Sequence, residues 1–266
     1  MGCHVCGGGQ ATVTRIVPCL SDNYSVLVHD PVSQATAVID VPEVAPVLAA
    51  LEREGWTPNQ ILITHHHADH VDGVPALKAR YNATVVGPKA EAASIPGIDV
   101  EVVDGDPVAV GGLVGRVMET PGHTAGHVVY LFEEDRLLFA GDTLFVLGCG
   151  RPIECEPPVL WESLQRLRTL PDDLAVYVGH EYTVSNARFA LSVDPENGAL
   201  RARAGEAEAA RAEGRPTIPT RLGDEKLTNP FLRADDADMA ARLGLDPADS
   251  AAVFTELRAR KNSFKG

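Results

Sequence analysis

The sequence predicts a layered α/β domain followed by a helical segment, and three observations predict it. Up to about Tyr182, short runs rich in Val, Ile and Leu alternate with stretches of helical period. Histidines and aspartates of metal-ligating type sit where several of those runs end. Beyond Tyr182 the composition turns to Ala, Arg and Glu with helical periodicity. In order, residues 13–17, 25–29 and 35–40 read as paired strands separated by Asp, Asn and Pro turns. Val44, Val47, Leu48 and Leu51 form an i, i+3, i+4, i+7 stripe with Pro42 near its start, so a helix is expected there. Residues 60–64 are the next strand, 74–81 and 89–94 read as helices, and 83–86 is the strand between them. Residues 114–119, 128–133 and 136–140 read as strands, the last two joined by the acidic turn Glu134-Asp135. A helix over 159–170 and a strand over 174–178 complete the first part. The tail is interrupted by Arg215-Pro216-Thr217-Ile218-Pro219, and its stretch 200–214 reads as a solvated helix face.

The run Thr64-His65-His66-His67-Ala68-Asp69-His70 packs ligand-type side chains into one loop after the strand at 60–64. Imidazole and carboxylate suit zinc, iron or manganese, and His-x-His-x-Asp-His lets the first two histidines grip one ion while Asp69 and His70 turn to a second. His66 alternates away from both neighbours and is expected to serve beside the site. Two ions need more ligands than this loop supplies. His123, Asp142 and His180 each come directly after a glycine, Gly122, Gly141 and Gly179, at the end of an apolar run. Glycine there lets the backbone bend sharply or pass close to a neighbour, and a rigid sheet positions the ligand side chain at its end.

Composition and charge bound the function. A chain of 266 residues, 45% hydrophobic, can bury a sizeable core. No stretch approaches the roughly 18 apolar residues of a membrane span, and no basic region leading into an apolar core opens the chain, so a soluble, cytoplasmic protein with no membrane partner is expected. Up to Thr183 there are 10 basic against 24 acidic residues, and 13 of each from Val184 onward. Such acidity argues against nucleic acid as a partner. The five cysteines, Cys3, Cys6, Cys19, Cys149 and Cys155, are odd in number and scattered, which favours reduced thiols. Cys3-His4-Val5-Cys6 has metal-motif spacing, but it lies in a Gly-rich terminus without a second ligand pair, and a mobile terminus is the simpler reading.

The histidine loop with His123, Asp142 and His180 resembles the metallo-β-lactamase superfamily. Four further segments, Asp22-Asn23-Tyr24, Gly148-Cys149-Gly150-Arg151, Glu181-Tyr182-Thr183 and Asn229-Pro230-Phe231-Leu232-Arg233, narrow the resemblance to the glyoxalase II family of hydroxyacylglutathione hydrolases. The resemblance covers nearly the whole chain. It implies an αββα sandwich followed by a smaller α-helical domain, with residues 1–183 catalytic and 184–266 binding the thiol carrier. It also implies two divalent ions per chain, zinc first with iron or manganese as alternatives. His65, His67 and His123 would hold one, Asp69, His70 and His180 the other, and Asp142 would bridge them. Asp142 and Asp69 would be catalytic. Arg258 and Lys261 match the family's basic clamp for glutathione, with Arg151 and Tyr182 completing the substrate contacts.

The implied activity is hydrolysis of S-D-lactoylglutathione to glutathione and D-lactate, the second step of methylglyoxal detoxification, by a chain expected to be monomeric. One departure bears on the thiol carrier. Arg151-Pro152-Ile153 puts Ile153 where the family usually has an aromatic residue, and Cys155-Glu156-Pro157-Pro158 is an atypical continuation. Rival readings are a hydrolase of the same superfamily acting on a lactone or another thioester, a persulfide dioxygenase with a single iron, and a non-enzymatic binding module.

Overall fold

The first hairpin, β1 (Val13–Cys19) and β2 (Asn23–His29), shows how the layers arise. Successive side chains on a strand face opposite sides. Val26 and Val28 of β2 accordingly enter one apolar cluster while Leu27 enters another. In the computed structural model, which describes residues 11–265, β1, β2, β3 (Thr36–Ile39), β4 (Gln60–Leu62), β5 (Thr84–Pro88) and β6 (Val100–Val102) form the first sheet in that order. From β3 to β6 the strands run parallel. The crossovers carry α1 (Val44–Glu54), the one-turn α2 (Ala68–Val71) and α3 (Val74–Tyr81). Val47 and Leu51 of α1 and Leu77 of α3 pack on Leu27, Val38 and Ile61 to form the outer cluster. Each fully buried aliphatic side chain there contributes about 1.5–3 kcal/mol of burial free energy.

The second sheet is built from β7 (Pro107–Val110), β8 (Leu113–Glu119), β9 (Val128–Phe132) and β10 (Leu137–Gly141). A small hairpin, β11 (Leu144–Phe145) and β12 (Gly148–Cys149), comes next, then α4 (Pro157–Arg168) and β13 (Ala175–Val178). The tail holds α5 (Thr183–Val193), α6 (Gly198–Ala212), β14 (Thr220–Arg221), α7 (Leu222–Thr228), α8 (Ala237–Leu243) and α9 (Ser250–Ser263). The sheet order is β14-β13-β10-β9-β8-β7. The inner cluster joins Val26, Val28 and Leu62 of the first sheet to Val117 and Phe139 of the second, and runs on into α4 and the tail helices. The architecture is therefore an αββα sandwich with an appended, mainly helical segment. No helix among the described residues is long and apolar enough to cross a membrane.

The structure corrects one sequence expectation and adds short strands beyond those expected. Residues 89–94 are not a helix but a single 3-10 turn, Lys89–Glu91, followed by turns. The cause is Glu91, whose buried carboxylate accepts from His66 N at 2.7 Å and Gly126 N at 3.0 Å instead of facing solvent from a helix. Strands β6 and β7 went unread because they are short and partly exposed, with exposed valines such as Val100 and Val103 near them. The tail is mainly helical, as expected, and adds the short strand β14, which hydrogen-bonds along β13. The Cys3-His4-Val5-Cys6 motif lies outside the described residues.

Candidate metal centre

The loop after β4 turns its histidines inward through a carboxylate that the sequence pattern did not single out. Asp40 comes directly after β3 and is buried with a left-handed backbone, φ +52°. Its Oδ1 accepts Thr64 N at 2.8 Å, its Oδ2 accepts Thr64 Oγ1 at 2.8 Å, and His70 Nδ1 donates to the same oxygen at 2.9 Å. Thr64 Oγ1 in turn lies 3.0 Å from His65 Nδ1. One side chain therefore orients a histidine of each expected ligand triad.

In the first triad His67 Nδ1 lies 3.2 Å from His65 Nε2 and 3.0 Å from His123 Nε2. Three ligands held at 2.0–2.1 Å from a tetrahedral ion stand about 3.3 Å apart, so this spacing suits a metal. In the second triad His70 Nε2 and His180 Nε2 are 3.3 Å apart, with Asp69 Oδ2 at 3.8 and 3.4 Å from them. Asp142 lies between the two. Its Oδ2 is 3.4 Å from His123 Nε2 and 3.3 Å from His180 Nε2, and its Oδ1 is 3.4 Å from His70 Nε2. That Oδ1 is buried without a hydrogen-bond partner, a costly state for a carboxylate unless a cation meets it. The seven residues expected from the sequence are thus brought together, and their donor set fits divalent metal ions. His66 points away, with its Nδ1 2.9 Å from Glu91 Oε2 and its Nε2 3.3 Å from Glu154 Oε1.

The outward ring nitrogens are fixed in the way that frees the inward ones. His123 Nδ1 donates to Arg151 O at 2.8 Å and His180 Nδ1 to Asp22 Oδ1 at 2.9 Å, which leaves each Nε2 lone pair facing the site. Asn23 Nδ2 donates to Asp69 O and Oδ2 at 2.9 and 3.1 Å. His127, also missed, accepts Asp142 N on its Nε2 at 3.0 Å and places Nδ1 against Thr120 and Thr143. The detectable signal for His127 was its place four residues after His123. For Asp40 it was an acid ending an apolar strand, the same signature that marked Asp142.

Electrostatics agree with a cation site. Burial opposes ionisation of Asp142, yet His70 and His180 outweigh it and hold the carboxyl well below its ordinary range. Burial likewise opposes charge on His70, but Asp142 and Asp40 carry its pKa well above the imidazole value. Burial, with other histidines around it, pushes His65 well below it. Two glycines make the close packing possible. A Cβ on Gly150 would stand 1.9 Å from Asp142 O, and one on Gly179 would stand 2.2 Å from Asp142 Oδ1.

Of the expected substrate residues, Tyr182, Arg258 and Lys261 lie on the tail side, and Arg151 lies by His123. Tyr182, partly exposed, stacks on His180 with ring centroids 4.7 Å apart. Arg258 and Lys261 share one face of α9. Arg258 is buried over the Phe231 ring, donating to Cys149 O at 3.2 Å and Asn262 Oδ1 at 2.7 Å, while its Nε has no partner. Lys261 Nζ donates to Ser185 O and Oγ at 3.2 and 3.3 Å. Burial and the neighbouring Arg258 push its ammonium down to about 8. Arg151 and Ile153 are exposed beside His123, whose carbonyl accepts Ile153 N at 3.2 Å. The tail also pins the β11–β12 hairpin that carries Cys149 and leads to Gly150: Asn229 Nδ2 donates to Gly148 O at 2.8 Å, Asn186 Nδ2 to Val146 O at 3.1 Å, and Glu225 Oε2 accepts Leu147 N at 2.8 Å.

An αββα sandwich with an all-histidine triad and an adjoining Asp/His/His triad along one end of its sheets defines a divalent-metal protein of the metallo-β-lactamase type. Residues 7–180 match the family model described as the metallo-beta-lactamase superfamily, and residues 181–264 match the one described as hydroxyacylglutathione hydrolase C-terminus. The chain belongs to the hydroxyacylglutathione hydrolase family of that superfamily. A hydroxyacylglutathione hydrolase from Rhodopseudomonas palustris strain BisA53 is 56% identical over 95% of this chain and 99% of its own. Among solved structures, ETHE1 from Myxococcus xanthus is similar at 30% identity and TM-score 0.65, over 93% of this chain and 98% of that one. TTHA1623 in a di-iron-bound form is similar at 25% identity and TM-score 0.59, over 83% of this chain and all of that one.

Proposed function

We propose that this chain hydrolyses S-(2-hydroxyacyl)glutathione thioesters, S-D-lactoylglutathione foremost, to glutathione and the free hydroxy acid. The observation that carries the proposal is the pair of triads joined through Asp142, in a chain whose tail brings Arg258 and Lys261 to the Cys149–Ser185 side of the site. His65, His67 and His123 would hold one divalent ion, Asp69, His70 and His180 a second, with Asp142 shared. Zinc leads among the candidate metals, with iron and manganese accepted by the same donors. When bound, such ions supply Lewis acidity, bringing the pKa of a water to about 7 and polarising an acyl oxygen.

The chain's own residues do the rest. Asp142, held ionised, keeps the two halves of the site in register and presents an unpaired carboxylate oxygen inside it. Asp40 and Asp22 hold His70 and His180 in the tautomer whose Nε2 faces the site. Lys261 offers an ammonium to a carboxylate of the thiol carrier, and Arg258 beneath it fixes the Cys149 carbonyl and adds a second positive charge. Tyr182, stacked on His180, covers one side of the site and carries a hydroxyl for the substrate. The same assignment divides the chain into a catalytic segment, 1–183, and a carrier-binding segment, 184–266. The free thiols of Cys19, Cys149 and Cys155 suit a reducing compartment, in keeping with action in the cytoplasm.

The test is the loss of thioester absorbance with S-D-lactoylglutathione, before and after a chelator. Rapid, chelator-sensitive hydrolysis is expected. No turnover by metal-replete protein would overturn the substrate assignment and direct attention to Ile153 and to other thiol carriers.

A further inference from the structure

Outside the two triads, one carboxylate whose side chain is only 8% exposed ties distant chain segments together. Glu181 comes directly after His180, and its side chain turns away from the site. Tyr24 Oη donates to its Oε2 at 2.6 Å, Thr217 N donates to Oε2 at 3.0 Å, and Thr217 Oγ1 donates to Oε1 at 2.9 Å. Thr183 lies 2.6 Å from Thr217 through the two hydroxyls, so its proton can complete a relay into the same carboxylate. The backbone repeats the pattern: Glu181 N donates to Asp22 O and Tyr24 N to Gly179 O, both at 2.8 Å. The segment so gripped is Asp22-Asn23-Tyr24. Asp22 holds His180 Nδ1, and Asn23 holds Asp69. Two of the three side chains expected at the second ion are therefore oriented by a tripeptide that Glu181 clamps to the tail, through Thr217 between α6 and β14. None of these contacts reaches the His65-His67-His123 triad.

We infer that Glu181 is a positioning residue for the second metal ion, and that it makes occupancy of that ion depend on docking of the tail at Thr217. The inference rests on the two-ion reading above. A clamp that merely stabilises the fold would weaken both ions alike, whereas this one acts on the half of the site built by Asp69 and His180.

The experiment titrates zinc into metal-free protein against a competing chelator, for the natural chain and for Glu181→Gln, Tyr24→Phe and Thr217→Val. The natural chain is expected to take two equivalents. In the variants the second equivalent weakens about tenfold, the scale seen when a partner behind a metal ligand is lost, while the first stays within twofold. The rate constant kcat should fall with second-ion occupancy and recover in excess zinc, with KM within twofold. Thr217→Val touches no ligand and decides the matter if Glu181→Gln does not fold. Unchanged affinity for both equivalents, or equal weakening of both, overturns the inference. A single equivalent in the natural chain overturns the two-ion reading itself, and the inference with it.

Discussion

Asp40→Asn tests whether the site is organised from behind its ligands. The carboxylate receives three donors, Thr64 N, Thr64 Oγ1 and His70 Nδ1, at 2.8–2.9 Å. An asparagine of the same shape offers one acceptor oxygen, and its amide donates where a carboxylate oxygen had accepted. With that amide toward His70, the imidazole must turn Nδ1 into an acceptor and protonate Nε2, the atom that faces Asp142 and His180. With the amide reversed, Thr64 N loses its partner and the His65 loop loosens. Replacing such a partner costs about 10–100-fold in metal affinity, or about 1.4–2.7 kcal/mol. Chelator competition should show at least tenfold weaker binding of the second zinc, together with reduced kcat. Both equivalents within twofold of the natural chain would refute the argument that Asp40 sets the histidine tautomer.

Asp142→Ala should abolish retention of both ions and kcat together, measured by metal content after gel filtration; full activity would sink the two-ion mechanism. The double change Arg258→Ala with Lys261→Ala should raise KM for a glutathione thioester with little change in kcat, the mark of lost uniform binding. Because Lys261 is pushed down to about 8, it is charged below that pH and neutral above it. The ratio kcat/KM should therefore decline as pH rises through about 8, and Lys261→Arg, which stays charged, should remove that decline from the pH profile.

The candidate ligand set was legible because metal chemistry concentrates rare residue types at strand ends. His65, His67, His123 and Asp142 announce themselves by type and by the turns and glycines around them. The residues behind them were less legible. Asp40, Glu91 and His127 are single polar residues whose partners lie 24, 35 and 15 positions away, and the local signals at Asp40 and His127 do not by themselves separate them from capping or surface groups. Helix α1 was readable from its apolar stripe, whereas 89–94 was misread because a long-range contact of Glu91 overrode local propensity. The tail motif Asn229-Pro230-Phe231 stands out in the sequence, but its work, holding the hairpin that carries Gly148 and Cys149, is visible only once the fold closes.

Strand β14 carries a last consequence. It adds only Thr220 and Arg221 to the second sheet, yet those residues cover the first half of the open side of β13, at Ala175 and Val176, on the strand that leads to His180. An uncovered strand is a template for other chains. A version cut back to the sandwich would also present a bare, sticky margin at Ala175 and Val176, the start of the strand that leads to His180. Trimming this enzyme to a minimal catalyst, or transplanting its tail onto another sandwich, must carry β14 along, so the practical unit for engineering is the whole chain.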